Sequence, residues 1–221
     1  MRPELRALLP AGVVGVERLD RNEPEPLFAQ ELACISKAVE KRRLEFALGR
    51  ACARAALGRL GVEPVPLVQK VDRSVAWPAG FVGSITHADG YVAALAAPVE
   101  IAAGLGIDAE VKARVERKLW KQIANPEEIA WFESSADEHE ARLRATRLFS
   151  AKEAFYKAQY CISQAWVGFH DVTLTFTDDA FEVELCVDVE RLAARGTRYA
   201  GKLVTLEEHV ITTCAILTSP R

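Results

Sequence analysis

Apolar and polar positions change period several times along this chain. Between residues 29 and 60, Phe46, Gly49, Ala53, Ala56, Leu57 and Leu60 recur at helical spacing, and Gly61 supplies a stop, so helices are predicted there. Before them, the polar and proline-rich stretch NEPEPLF at 22–28 reads as a loop. Residues 62–80, with Pro64, Pro66 and Pro78, form a long irregular segment that carries Lys70 and Arg73; such segments in compact domains are often binding loops. In FVGSITHADGYVAALAA, residues 81–97, two β-prone runs flank H-A-D-G, which predicts a hairpin. AAGLGID, 102–108, reads as a buried strand ending at Asp108, and residues 111–123 as a polar helix. One long helix is predicted over 137–161. VGFHDVTLTF and AFEVELCVDV follow as strands, then a turn near RGTRY and a last strand, HVITTCAILT.

The two halves share an outline, a helix with charges four residues apart followed by a hairpin. Arg50 and Arg54 in the first half parallel Glu153 and Lys157 in the second. This predicts a duplicated, mixed α/β (α+β) chain with its seam near residue 104. Residues 1–104 would be an N-terminal lobe with the charged helix, the irregular loop and the hairpin. Residues 105–221 would be a C-terminal lobe with the strand end at Asp108 and the long helix.

Composition narrows the picture. Of 221 residues, 50% are hydrophobic and 27% charged, enough for a sizeable core. A net charge of −3 argues against a general nucleic-acid binder. The cysteines at 34, 52, 161, 186 and 214 are odd in number and include no Cys-x-x-Cys pair. No zinc site or disulfide framework is expected; small buried hydrophobes in a reducing, cytoplasmic setting are. The start, MRPELRALLPAGVVGV, makes a poor signal peptide, and no apolar run is long enough to span a membrane.

Candidate chemistry gathers in two places. If the backbone is still extended through GIDAE, Asp108 and Glu110 share one face of the strand. Two adjacent carboxylates are unfavourable without a cation or proton between them, and an oxygen-only set selects a hard ion such as Mg²⁺. The plainer alternative is that Asp108 caps a helix and Glu110 is solvated. Forty-five residues past Asp108, Glu153 and Lys157 lie four apart on one helical face. Ser150 and Glu153 also fit a capping box, and Glu153 with Lys157 could be a simple ion pair; the run of apolar residues through Ser150 argues against a helix start there.

The second place is basic. Neither common nucleotide fingerprint, G-x-x-x-x-G-K-[ST] or G-x-G-x-x-G, occurs. Seven Lys or Arg nevertheless fall between residues 37 and 59, and Arg42 and Arg50, two turns apart, can face one ligand. Guanidinium forks suit phosphate oxygens. Arg54 and Arg59 read as a solvated face. His87 follows Gly83, Ser84 and Thr86 at the hairpin tip, where an anion could be held.

In this order, RRLEFALGRACARAAL (42–57), WPAGFVGSITHADG (77–90), GLGIDAE (104–110) and FSAKEAFYKA (149–158) resemble the 4′-phosphopantetheinyl transferases of the surfactin-synthetase-activating and enterobactin-synthetase component D type. The likeness covers roughly residues 40 to 170, and four motifs in order are far more specific than one. It implies two similar lobes related by a pseudo-twofold axis, with coenzyme A in the cleft between them. It implies transfer of the phosphopantetheine arm to a serine of an acyl or peptidyl carrier protein, releasing 3′,5′-ADP. By motif position, Asp108 and Glu110, with the backbone carbonyl of Ala109, would bind Mg²⁺, Mn²⁺ being the alternative. Glu153 would complete the metal site or act as general base, and Lys157 would steady the pyrophosphate. Arg42, Arg50, Lys70, Arg73, Thr86 and His87 would hold the nucleotide and its phosphates, with Lys152 nearby and Val167 lining the pantetheine arm.

Carrier proteins are typically acidic, so Lys112, Arg114, Arg117, Lys118 and Lys121 are the expected docking face, a solvated helix face being the plainer reading. The duplicated chain supplies both halves of the cleft and so suggests a monomer. Siderophore, polyketide, nonribosomal peptide and fatty acid carriers all remain open as acceptors. Two other activities fit the same residues, a magnesium-dependent phosphodiesterase acting on coenzyme A-type pyrophosphates and a non-catalytic coenzyme A- or carrier-binding protein. The presence of Asp108, Glu153 and Lys157 together weighs against the second.

Overall fold

The computed structural model describes residues 1–19 and 26–218; residues 22–25 of the expected proline-rich loop lie outside that set. The elements run α1 (Pro3–Ala7), β1 (Val14–Arg18), α2 (Ala29–Cys34), α3 (Glu40–Gly58), β2 (Phe81–Ala88), β3 (Tyr91–Pro98) and β4 (Ala102–Val111). Then come α4 (Trp120–Ile123), α5 (Pro126–Glu133), α6 (Glu138–Ser163), β5 (Val172–Phe176), β6 (Ala180–Leu185), α7 (Glu190–Ala193), β7 (Arg198–Thr205) and β8 (His209–Leu217).

Two antiparallel sheets form, ordered β1-β3-β2 and β4-β8-β7-β6-β5. Their topologies correspond. In each, a first strand pairs with the lobe's last strand, which pairs with the strand before it, and a long helix lies between: β1, α3, β2, β3 in one, β4, α6, β7, β8 in the other. The pair β5–β6 extends the second sheet outward. The chain is thus a mixed helix-and-sheet fold of two similar lobes, whose sheets part at the turn 99–101.

The lobes are sewn together along β2 and β4. Ser84 Oγ accepts from Ile107 N at 3.1 Å, and Thr86 Oγ1 accepts from Ala109 N at 3.0 Å. Two hydroxyls on one strand face thereby take the place of a backbone ladder and satisfy amides that would otherwise be buried and unpaired. On β4, Leu105, Ile107 and Ala109 enter an apolar cluster with Leu5, Tyr91 and Leu95. The opposite face is Gly104, Gly106, Asp108 and Glu110. A Cβ on Gly106 would stand 1.7 Å from the Ala154 carbonyl oxygen, and one on Gly104 2.1 Å from that of Ala158. Both glycines are there so that the backbone of α6 can lie directly on the strand. Gly106→Ala is accordingly expected to cost about 1–3 kcal/mol or more, because backbone must move. Gly58→Ala, where nothing lies within 4 Å, should leave the melting temperature in place; comparing the two melts checks the packing.

The hairpin, the irregular 62–80 segment and the long helix match the expectation. Asp137 caps α6 by accepting from Glu140 N at 2.8 Å, and Ser150 sits mid-helix, bonded to Thr212 Oγ1 at 2.8 Å, so no helix starts at Ser150. Other expectations are corrected. The strand runs on to Val111, and the polar helix expected over 111–123 is a turn, one short 3-10 stretch and the four-residue α4. The turn near RGTRY is present, with Gly196 at a left-handed φ of 87°, but it leads into a strand not expected there, β7, whose residues Arg198–Leu203 alternate exposed and buried. Cys52 and Cys214 are buried free thiols, but Cys161 and Cys186 are exposed. Among the described residues no helix is long and apolar enough to cross a membrane.

Candidate active site at the lobe seam

The close approach of α6 to β4 creates the central contact. Lys157 Nζ donates to Asp108 Oδ1 at 2.7 Å and to the Ile107 carbonyl at 3.0 Å. Asp108 is 5% exposed, and its second oxygen, Oδ2, is buried with no partner. An orphaned buried carboxylate oxygen is costly and calls for a cation or proton. Glu110 lies on the same strand face, bonded to Arg114 Nη1 at 2.9 Å. Burial and then the charge of Asp108 push its carboxyl up to about 6. Glu153, one turn before Lys157, is also raised, chiefly by burial, with Lys157 opposing and Asp108 adding to the rise. Asp108 thus acts on both Glu110 and Glu153. Among the described residues no three His, Cys, Asp or Glu side chains come together closely enough to hold a metal unaided. The donor chemistry still fits a hard divalent ion, since Asp108 Oδ2 lacks a partner and all donors are oxygens. Ala109, between the two carboxylates, is buried with its amide fixed by Thr86.

A cleft of about 450 Å³ opens beside this contact between the lobes. Lys70, Arg73 and Ser74 line one wall and Tyr156, Lys157 and Tyr160 the other. At the end of β2, the Arg42 guanidinium donates to His87 Nε2 at 2.6 Å, so that nitrogen is an acceptor and the proton sits on Nδ1, 3.7 Å from Glu45 Oε2. Burial holds His87 below its usual value; Glu45 opposes this, and Arg42 adds to it.

Several expected ligand contacts are redirected. Arg50 is 5% exposed, stacked 4.0 Å over the Phe46 ring and bonded through Nε to the Leu67 carbonyl at 2.6 Å. Burial lowers its pKa to about 10. It holds the proline-bearing segment rather than facing the cleft. Arg54, read as solvated, is buried in an ion pair with Glu31 at 2.8 Å. Thr86 is 3% exposed, and its hydroxyl serves the seam. Lys152 is buried and turned away, bonded to Glu128 Oε2 at 2.7 Å and to the carbonyls of Ile123 and Phe169. Val167 belongs to the core of the second lobe, while neighbouring Trp166 is 79% exposed and packs edge-on against Tyr156. Ser84, Glu45, Asp72 and Tyr160 were not singled out from sequence. Only the i, i+2 spacing of Ser84 and Thr86 offered a signal, since both point to one strand face.

The five basic residues after the metal motif are less available than their run suggests. Arg114 pairs with Glu110, Arg117 with Glu133 and Lys118 with Glu116.

Comparison with known proteins bears on what this seam does. A family model described as the 4′-phosphopantetheinyl transferase N-terminal domain matches residues 30–97, and one for the 4′-phosphopantetheinyl transferase superfamily matches residues 104–214. The chain belongs to the 4′-phosphopantetheinyl transferase superfamily. The two matches flank the turn 99–101, where the transferase's sheets part. The transferase is 36% identical to 4′-phosphopantetheinyl transferase Svp of Streptomyces mobaraensis, over 96% of this chain and 89% of that one. It is 38% identical to 4′-phosphopantetheinyl transferase Npt of Nocardia iowensis, over 78% and 76%. It is 33% identical to enterobactin synthase component D of Escherichia coli, over 67% and 69%.

Proposed function

We propose that this transferase moves the 4′-phosphopantetheine arm of coenzyme A onto a serine hydroxyl of an apo carrier protein, releasing 3′,5′-ADP. The observation that carries the reading is the Asp108–Lys157 contact at the seam, with Glu153 one turn away and a cleft lined by cationic side chains beside it. Lys70 and Arg73 from one wall and Lys157 from the other would bracket the phosphates. Glu153, kept basic by burial, takes the proton of the attacking hydroxyl. The serine oxygen bonds to the β-phosphorus as the bond from that phosphorus to the bridging oxygen breaks. Lys157, held in place by Asp108 and the Ile107 carbonyl, presents positive charge where negative charge develops. Asp108 and Glu110, with the Ala109 carbonyl, would hold Mg²⁺ or Mn²⁺, which when bound supplies Lewis-acid neutralisation of the pyrophosphate. For that, Glu110 must turn from Arg114. The carrier would approach across the 112–121 segment, where Lys112 and Lys121 extend the basic run. The protein works as a monomer.

The test is the intact mass of a purified apo carrier incubated with this protein, coenzyme A and Mg²⁺. Gain of one phosphopantetheine group, abolished by EDTA, supports the reading. Free phosphopantetheine with an unmodified carrier would replace it with hydrolysis.

His87 gives a pH dependence. It is depressed in the free protein, with Arg42 and Glu45 of α3, Lys157 of α6 and Asp108 of β4 around it. A phosphate dianion beside it favours the protonated ring and raises its pKa. Coenzyme A binding should therefore take up protons, and affinity should strengthen as pH falls toward the depressed value of the free protein, below the usual histidine range. Calorimetry in buffers of different ionisation heat should show the uptake in the wild type and its loss in His87→Gln.

A further inference from the structure

The segment 67–75 is suspended from two anchors on different lobes. At its base Leu67, fully buried, has both backbone groups held: its N–H donates to Glu31 Oε1 at 2.8 Å and its carbonyl accepts from Arg50. Beyond it the chain folds into a tight turn. Lys70 N donates to the Ser74 carbonyl at 2.8 Å, Arg73 N donates to the Lys70 carbonyl at 3.0 Å, and Arg73 adopts a left-handed φ of 68°. Asp72 Oδ1 accepts from both the amide and hydroxyl of Ser74, at 2.9 and 2.7 Å, which fixes the carboxylate within the turn. Its other oxygen, Oδ2, accepts from Tyr160 Oη at 2.9 Å. That bond crosses the cleft from the turn to α6, one turn beyond Lys157.

We infer that the Asp72–Tyr160 bond sets the spacing between Lys70 and Arg73 on one wall and Lys157 on the other. Asp72 and Tyr160 are thereby positioning residues for a ligand with two separated phosphate groups. The inference rests on the coenzyme A reading above. Without the bond the turn stays formed, because its backbone hydrogen bonds and the Leu67 clamp persist. What is lost is the registration of its cations against α6, an ordering cost the ligand must then meet on binding.

The experiment measures the dissociation constant of coenzyme A for the free protein by calorimetry. The variants are Tyr160→Phe, Asp72→Ala, Asp72→Asn and the Tyr160→Phe/Asp72→Ala pair. Tyr160→Phe and Asp72→Ala are each expected to weaken binding about fivefold to tenfold, the scale of one solvent-accessible hydrogen bond. Asp72→Asn, which keeps one acceptor oxygen but neither the charge nor the second acceptor, should lose less than Asp72→Ala. The double variant should be no weaker than either single, since both remove the same bond. KM for coenzyme A should rise while kcat falls much less. Asp72 is exposed, and phenylalanine keeps the packing of the half-buried Tyr160 ring against Tyr156, so melting temperatures should change little. Wild-type affinity in both single variants, or losses that multiply in the double, would overturn the inference. The binding readout is independent of transfer: a wild type that binds coenzyme A but modifies no carrier defeats the proposed function alone, and one that binds none defeats both.

Discussion

Glu153→Gln is expected to lower kcat about 10²- to 10⁴-fold, the range of a positioned general base, while coenzyme A binding stays within a few-fold of wild type. The amide matches the carboxylate in shape and cannot take a proton. Glu153 is half-buried on α6 with its carboxyl raised by burial, which suits a base working near neutral pH. Asp108→Asn should lose a comparable amount by another route. It removes the charge that holds Lys157 Nζ at 2.7 Å and the unpartnered oxygen that suits a cation. The two are separable by titrating Mg²⁺: Asp108→Asn should need more metal for half-maximal rate, Glu153→Gln no more than wild type if Glu153 is purely the base. Steady-state transfer to an apo carrier gives both numbers. A Glu153→Gln protein retaining more than a tenth of wild-type kcat would remove Glu153 from the base role.

The parts of this site that sequence made legible are those fixed by local periodicity. Asp108 and Glu110 share a strand face and Glu153 and Lys157 a helix face, and spacing alone says so. That the two faces meet was not in either pattern. It depends on Gly104 and Gly106, which read as ordinary members of an apolar run until α6 is seen lying on them. Arg50 failed for a related reason. Eight residues from Arg42 puts both on one side of α3, but only the tertiary structure shows that side covered at Arg50 by Leu67 and open at Arg42. Thr86 was read as an anion contact because hydroxyls bind anions; here its oxygen accepts from a strand amide, a role that requires knowing β4 runs beside β2. The helix α5 and the strand β7 were missed because tertiary contacts, not propensity, define them. α5 is anchored by Asn125, which accepts from Glu128 N at 2.9 Å, and by Glu128, buried beneath α6.

Lys152→Met is expected to cost about 3–5 kcal/mol of stability, the penalty for stripping one partner from a buried ion pair. At about 2–4 °C per kcal/mol for a chain of this size, the melting temperature should fall by roughly 10 °C. Lys152 Nζ has three acceptors, Glu128 and the carbonyls of Ile123 and Phe169, and so fills its donor capacity in a buried site. Burial lowers its pKa, with Glu128 opposing. Glu128 in turn accepts from Asn125 N and Leu174 N, so the pair joins α4, α5, α6 and β5. The methionine would fill the aliphatic path but leave Glu128 charged and unpaired; adding Glu128→Gln should recover part of the loss. Lys152 adjoins Glu153 in sequence, yet its side chain points to the opposite side of α6 from the seam. A coenzyme A dissociation constant unchanged at a temperature where the variant is folded would assign Lys152 to the scaffold. A large loss of affinity in a folded variant would return it to the ligand, against its three buried bonds.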